Sequence, residues 1–157
     1  NDYASLRVKP TLIPPKPQRK QRSNNMATSK YFYGLGRRKS ATAQVRLVPG
    51  KGKLTINNKA AADYLSNNKT MLAEITDPLA LVNKQSDFDT TVVVKGGGVA
   101  GQVDAIKLGI AKAITAAFAD IRPGLKKADM LKRDSREKER KKYGLRSARK
   151  REQFSKR

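Results

Sequence analysis

From Lys39 onward the chain alternates between apolar and polar residues. Ala41, Ala43, Val45 and Leu47 fall on one face and Thr42, Gln44 and Arg46 on the other, which is the period of a half-buried strand. Pro49-Gly50-Lys51-Gly52 has turn chemistry, and Leu54-Thr55-Ile56 resumes the alternation, so a hairpin is expected there. Asn57 or Asn58 is placed to cap a short helix through Ala60, Ala61, Ala62 and Leu65. Residues 70–82 read as helical with an interruption at Asp77-Pro78, since proline suits a helix's first turn. Residues 89–95, built on Thr90, Thr91, Val92, Val93 and Val94, read as a buried strand. The longest helical pattern follows: Val103, Ile106, Ile110, Ile114, Ala117 and Phe118 recur at three- and four-residue steps, and Arg122-Pro123-Gly124 stops it. Strands mixed with helices, and too few strands for a doubly wound sheet, predict a two-layer α+β domain of sheet and helix.

Between that strand and that helix lies Gly96-Gly97-Gly98-Val99-Ala100-Gly101, which matches G-x-G-x-x-G, with Asp120 about 20 residues further on as a dinucleotide fingerprint wants. The dinucleotide fold also needs a second strand after the helix with the acidic residue at its end. Here Asp120 ends the helix itself and no strand pattern follows. A phosphate loop fails as well, because Gln102-Val103 stands where Lys and Ser/Thr are required. The glycines still permit close backbone approach to a polyanion, next to a helix N-terminus with free N–H groups. An RNA phosphate fits that description. So does a tight, ligand-free strand-to-helix connection.

Charge moves the picture toward a polyanionic partner. The 157 residues hold 35 Lys plus Arg against 13 Asp plus Glu, a formal net charge of +22. A charge of that size repels itself unless a polyanion neutralises it, and nucleic acid leads the possibilities. No Cys and no His occur, which removes disulfides, Cys nucleophiles and Ser–His triads and leaves no thiolate or imidazole ligand for zinc or iron. No cofactor is expected. No apolar run reaches the roughly 18 residues of a membrane span, and no apolar secretory stretch opens the sequence. The charge divides the chain into three segments. Residues 1–30 carry +6 among four prolines and read as an extended basic arm; residues 31–125 carry +6 with a globular apolar content; residues 126–157 carry +10 and too few apolar residues for a core.

Two basic motifs stand out. Arg37, Arg38 and Lys39 precede the alternating strand, with Tyr31, Phe32 and Tyr33 nearby as packing or stacking groups. In the C-terminal segment, Asp134-Ser135-Arg136-Glu137 has capping-box spacing, Glu139 to Lys142 would continue a short helix, and Gly144 would end it. Residues 145–157 follow neither the strand nor the helix period; fully extended they would reach about 45 Å. Such a segment can order alongside RNA.

Taken together, the motifs resemble the family of small ribosomal subunit protein nine. Tyr33-Gly34-Leu35-Gly36-Arg37-Arg38-Lys39-Ser40-Ala41 resembles its opening motif, and Pro49-Gly50-Lys51-Gly52-Lys53 with Ile56-Asn57 follows in the family's order. Gly96 to Gln102 resembles its glycine motif, Arg133-Asp134 to Leu145 its tail helix, and Gln153-Phe154-Ser155-Lys156-Arg157 its terminal signature. The resemblance covers residues 31–157. It implies a fold like the second domain of ribosomal protein five of the same subunit, with a left-handed crossover. It implies binding to the head (3′ major) domain of small-subunit rRNA by Arg37, Arg38, Lys39, Gly96, Gly97, Gly98, Lys107, Arg133, Arg136, Arg140, Lys141, Lys142, Arg146, Arg149 and Lys150. It further implies that the tail runs toward the peptidyl-tRNA site, where Ser155, Lys156 and Arg157 would meet the anticodon stem-loop. An arginine fork suits phosphate there and carries no sequence information. The other expected partners are neighbouring head proteins; neither a membrane nor a second copy of the chain is expected. The sequence departs from the family's usual form at Val103-Asp104 and at Arg151-Glu152. The motif forms resemble bacterial ones, which implies a bacterial cytoplasmic ribosome, with an organellar ribosome as the alternative, and the family resemblance implies no enzymatic activity.

Overall fold

The alternation at Ala41, Ala43, Val45 and Leu47 forms strand β2 (Ala41–Pro49), and all four side chains are buried. In the computed structural model, which describes residues 31–156, β2 belongs to a five-stranded sheet with β1 (Phe32–Arg38), β3 (Leu54–Ile56), β4 (Lys59–Ala60) and β5 (Phe88–Lys95). The arm expected at residues 1–30 and the terminal Arg157 lie outside the described residues. The strand order is β1-β2-β5-β3-β4; β3 runs parallel to β5 and the other pairs are antiparallel. A parallel neighbour needs a crossover, which α1 (Ala61–Tyr64) and α2 (Lys69–Leu81) supply. Helix α3 (Val99–Ala117) lies across β1 and β2, and α2 packs against α3. The architecture is the sheet-and-helix α+β domain that the sequence predicts.

One face of the sheet is covered by helices, and among the described residues no element covers the other. Gly34 and Gly36, the β2 apolar set, Ile56, and Phe88, Thr90, Val92 and Val94 are buried under the helices. Tyr33, Arg37, Gln44, Arg46, Val93 and Lys95 stand on the open face. The apolar face of α3 is as expected, with Val103, Ile106, Ile110 and Ile114 fully buried and Ala117 and Phe118 half-buried. A second stripe on α3, Gly101, Ala105, Gly109 and Ala113 at four-residue steps, is also buried. It lies on β1: a Cβ on Gly34 would overlap the Gly109 carbonyl oxygen, and one on Gly36 would overlap that of Ala105. Helix and strand backbones therefore touch directly. Each fully buried large side chain, such as Leu47, Ile75, Ile106 or Ile110, contributes about 1.5–3 kcal/mol.

Several local expectations are corrected. β2 and β3 form no hairpin, because β5 lies between them. Turn residues specify a reversal of the chain without specifying which strand becomes the neighbour. The loop after Pro49 is tied across the end of β5, where the Asp89 carboxylate accepts from the N–H groups of Lys51 (2.9 Å) and Lys53 (2.8 Å). The hairpin partner of β2 is β1, a strand that the alternation from Lys39 onward does not reveal. Asn57 and Asn58 cap no helix: both have left-handed φ (49° and 65°) and form the β3–β4 turn, the geometry that favours Asn. The Asn57 side chain extends the ladder, accepting from Val94 N–H (2.9 Å) and donating to Val94 C=O (3.2 Å).

Pro78 does not interrupt α2 but sits inside it, buried with Ile75 and Leu79, so tertiary burial outweighs the proline penalty. The Arg122-Pro123-Gly124 stop follows a 3₁₀ turn (Ala119–Ile121) and opens α4 (Arg122–Lys127), whose Leu125 is fully buried. β5 is half-buried instead of buried, with Val93 42% exposed. The tail helix over residues 134–142 is absent. From Lys132 to Lys142 the chain holds no apolar residue, so a helix there would have no face to dock, and so short a helix is marginal by itself.

Candidate nucleic-acid interface

The cationic hairpin tip is built by register. Arg38 pairs with Ala41, which leaves Lys39-Ser40 as a two-residue turn, and Lys39 has a φ of 50°, uncommon for a side chain with a Cβ. Strand alternation sends the two arginines before it in opposite directions. Arg37 is exposed on the open face, opposite Thr42, while Arg38 turns to the helix side and its side chain is only 13% exposed.

The glycine loop leans on this tip. Gly96 and Gly97 have φ of 72° and 68°, and Cβ atoms there would meet Ser40 O at 2.6 Å and Ala41 Cβ at 2.8 Å. Gly96 and Gly97 are therefore required by conformation and close approach, whether or not a ligand binds. Gly98, with open space around it, caps α3 with no side-chain hydrogen bond. The Gln102 side chain ties the loop down, its Nε2 donating to Gly96 C=O (3.1 Å). Lys95, one residue before the loop and opposite Thr42, places another exposed cation beside the tip. Sequence reasoning missed Lys95; the signal was available in the alternation of β5, which puts Thr91, Val93 and Lys95 on one face.

The root of the tail reaches the same end of the molecule. Met130 and Leu131 still pack against the core. Then Arg38 Nη2 forms an ion pair with the Asp134 carboxylate (2.9 Å), Asp104 of α3 accepts from Arg38 Nε (3.3 Å), and Arg38 Nη1 donates to the Arg136 carbonyl (2.7 Å). Arg136 folds back on Asp134, with Nη2 at 2.7 Å and its backbone N–H at 2.8 Å. Asp134 titrates well below the ordinary carboxylate range, chiefly because of the Arg136 side-chain hydrogen bond, then of the Arg136 N–H. Asp104 and Asp134 are the functional candidates that sequence reasoning missed as a pair, since 30 residues separate them.

The remaining predicted residues scatter along the tail. Lys107 lies further along α3, its Nζ 2.8 Å from Asp77 of α2. Lys142 and Arg149 both reach Glu139, at 2.9 and 2.7 Å, which lowers the Glu139 pKa. Residues 145–151 curl into a loop closed by a Leu145–Arg151 bridge and by Arg146 N–H to Lys150 C=O (2.8 Å), so this stretch is not extended. Among the described residues, Arg37, Lys39, Arg133, Arg140, Lys141, Arg146 and Lys150 make no ion pair. Ser155 and Lys156 are exposed at the end of the described chain. No cluster of acidic side chains able to hold a metal ion occurs among the described residues.

Among the described residues, one face of the sheet is left uncovered, the glycine loop is seated on a cationic tip, and a long cationic tail follows. Residues 36–157 match the family model described as ribosomal protein S9/S16. The chain belongs to that family. It is similar to the small ribosomal subunit protein uS9 of Mesomycoplasma hyopneumoniae strains 7448, J and 232, each 51% identical over 126 residues that cover 80% of this chain and 95% of the relative. As an S9-family member the protein is a structural constituent of the small ribosomal subunit and not an enzyme, with rRNA and ribosomal proteins as its partners. The relatives are bacterial, in keeping with the bacterial ribosome that the motif forms imply.

Proposed function

We propose that this S9-family protein binds the head domain of small-subunit rRNA through its hairpin tip, glycine loop and tail, and that the tail's end lies against the anticodon stem-loop of the P-site tRNA. The observation that carries the reading is the distribution of unpaired cations. Arg37, Lys39 and Lys95 gather beside the glycine loop, and the exposed tail beyond Leu131 presents Arg133, Arg140, Lys141, Arg146 and Lys150 without carboxylate partners among the described residues. Cations left unpaired at this density are stabilised by phosphate, and the released counterions supply the affinity.

Chemical footprinting of head-domain rRNA, at moderate salt with excess unrelated RNA, tests this. Discrete protections that survive competitor support specific binding; protections erased by competitor overturn it. For the tail's end, ribosomes whose protein lacks Ser155-Lys156-Arg157 should assemble normally yet release P-site tRNA faster. Equal tRNA retention would remove the tRNA contact from the reading.

A further inference from the structure

Two adjacent arginines at the hairpin tip have opposite surroundings. Arg37 faces solvent on the open side of the sheet, whereas all three nitrogens of the Arg38 guanidinium are engaged inside the protein. Nε donates to Asp104 and Nη1 to the Arg136 carbonyl, with the Asp134 carbonyl at 3.5 Å, the limit of hydrogen-bond distance, while Nη2 lies in an ion pair with the Asp134 carboxylate. The arrangement joins three elements distant in sequence: β1, α3 and the start of the tail. A polyanion-binding chain gains nothing electrostatically from two carboxylates at the base of its most cationic segment. Their presence there is accounted for by what they hold.

We propose that Arg38 is a positioning residue and not a phosphate ligand: clasped between Asp104 and Asp134, it sets the direction in which the cationic tail leaves the body. Among the described residues, no other hydrogen bond or ion pair beyond Leu131 ties the tail to the body. No apolar residue occurs from Lys132 to Lys142, and among the described residues the hydrogen bonds beyond Arg136 run within the tail. The value of a fixed root is that a tail aimed at its RNA path loses less conformational freedom on binding than one that departs in any direction. This inference rests on the reading that the tail contacts nucleic acid, but the clasp can be tested without RNA.

The chain lacks cysteine, so spin labels at Gln44→Cys and Lys138→Cys report the body-to-tail distance in the free full-length protein. The clasp gives a narrow distribution in the otherwise native chain. Arg38→Ala and Asp134→Asn should each broaden it, and the double variant should broaden it no further, since both remove the same link. On head-domain rRNA, each single variant should raise the protein concentration needed for tail protection about fivefold, the scale of a partly exposed charge-assisted contact. The salt dependence of Arg38→Ala binding should equal that of the native chain, whereas loss of a phosphate contact lowers the slope by about 0.7–0.9. Asp134→Asn is the sharpest variant because the alternatives differ in sign. Removing a carboxylate strengthens purely electrostatic RNA binding, while breaking the clasp weakens tail protection.

A narrow distribution in both variants, or tighter tail protection in Asp134→Asn with a lowered slope in Arg38→Ala, would overturn the proposal. Should Arg38→Ala fail to fold, Asp134→Asn alters only a tail residue and carries the same test. A native chain that shows a narrow distribution but no tail protection on rRNA would sink the RNA reading and leave the clasp standing.

Discussion

From Phe32 to Leu131 the chain is held by side chains withdrawn from water, whereas beyond Lys132 it is held by charges that remain in it. In the body, Val45, Leu47, Ile56, Ile106, Ile110 and Ile114 are fully buried, and no buried side-chain polar atom among the described residues lacks a hydrogen-bond partner. In the tail, Tyr143 and Phe154 are exposed, and order comes from Asp134 and Glu139, each shared between two cations. The first kind of order is cooperative and insensitive to salt; the second is local and screened within a Debye length of about 8 Å at physiological ionic strength. A protein that must keep its shape in one part and adapt to RNA in another can use this division: the body carries rigidity and the tail carries charge.

The largest expected effect lies at the backbone contact between β1 and α3. Gly36→Val would drive a side chain into the Ala105 carbonyl, and separating the two elements costs about 3 kcal/mol or more. Urea denaturation should show the body unfolded or its midpoint greatly lowered. Arg140→Ala in the tail should leave that midpoint within about 0.5 kcal/mol. A comparable loss in both variants would show that the tail is part of the cooperative unit.

Next comes Ile110→Ala, which empties a site at the centre of the apolar face of α3. The expected destabilisation is about 2–5 kcal/mol by thermal or urea melting. In the variant that still folds, the tail's label distances should be those of the native chain, because the clasp uses none of the atoms removed. Altered tail distances would mean that core packing is transmitted through α3 to Asp104.

How far the sequence discloses each region follows from the same contrast. Burial leaves a periodic trace, so β2 and the apolar face of α3 can be read nearly residue by residue. Where two backbones touch, the trace is an absence of side chain: Gly34, Gly36, Ala105 and Gly109 read as weak strand and weak helix, although β1 and α3 meet there with no room for a Cβ on either strand glycine. Asn57 shows a different limit. Its side chain is spelled like a helix cap but pairs with Val94, and that pairing exists only once β5 has been placed beside β3. In the tail the signal is net charge, which is additive and directionless. It points to RNA without showing that Arg38 is enclosed while Arg37 is free, a distinction that comes from strand period and from two carboxylates distant in sequence.

Salt should separate the regions by a smaller amount. At about 1 M salt, where the Debye length is about 3 Å, the ion pairs of Glu139 with Lys142 and Arg149 should loosen. Hydrogen exchange at Arg146 N–H, which closes the 145–151 loop, should then speed up. The body's melting temperature should hold or rise as self-repulsion within the +22 chain is screened. A body that melts earlier in high salt would contradict its assignment to apolar burial.

Acid gives the smallest and most local difference. The chain has no His, so imidazole titration contributes nothing between pH 5 and 8. Asp89, Asp134 and Glu139 all have pKa values lowered in the folded state: Asp89 by the N–H groups of Lys53 and Lys51, Asp134 by Arg136, and Glu139 by Lys142 and Arg149. A carboxyl with a depressed folded pKa contributes stability that is fully present above its unfolded value, near 3.9 for Asp and 4.3 for Glu, and is lost as pH falls through the folded value. The 44–138 label distance should therefore stay narrow from pH 8 to about pH 4 and broaden only below it, as Asp134 takes up a proton. In the same range protonation of Asp89 should release only the loop around Lys51 and Lys53, since the sheet beside it is held by Leu47, Val92 and Ile56. Broadening already at pH 5–6 would mean that Asp134 is not held by Arg38 and Arg136, and the contrast between an apolar body and an ionic tail root would lose its best-defined contact.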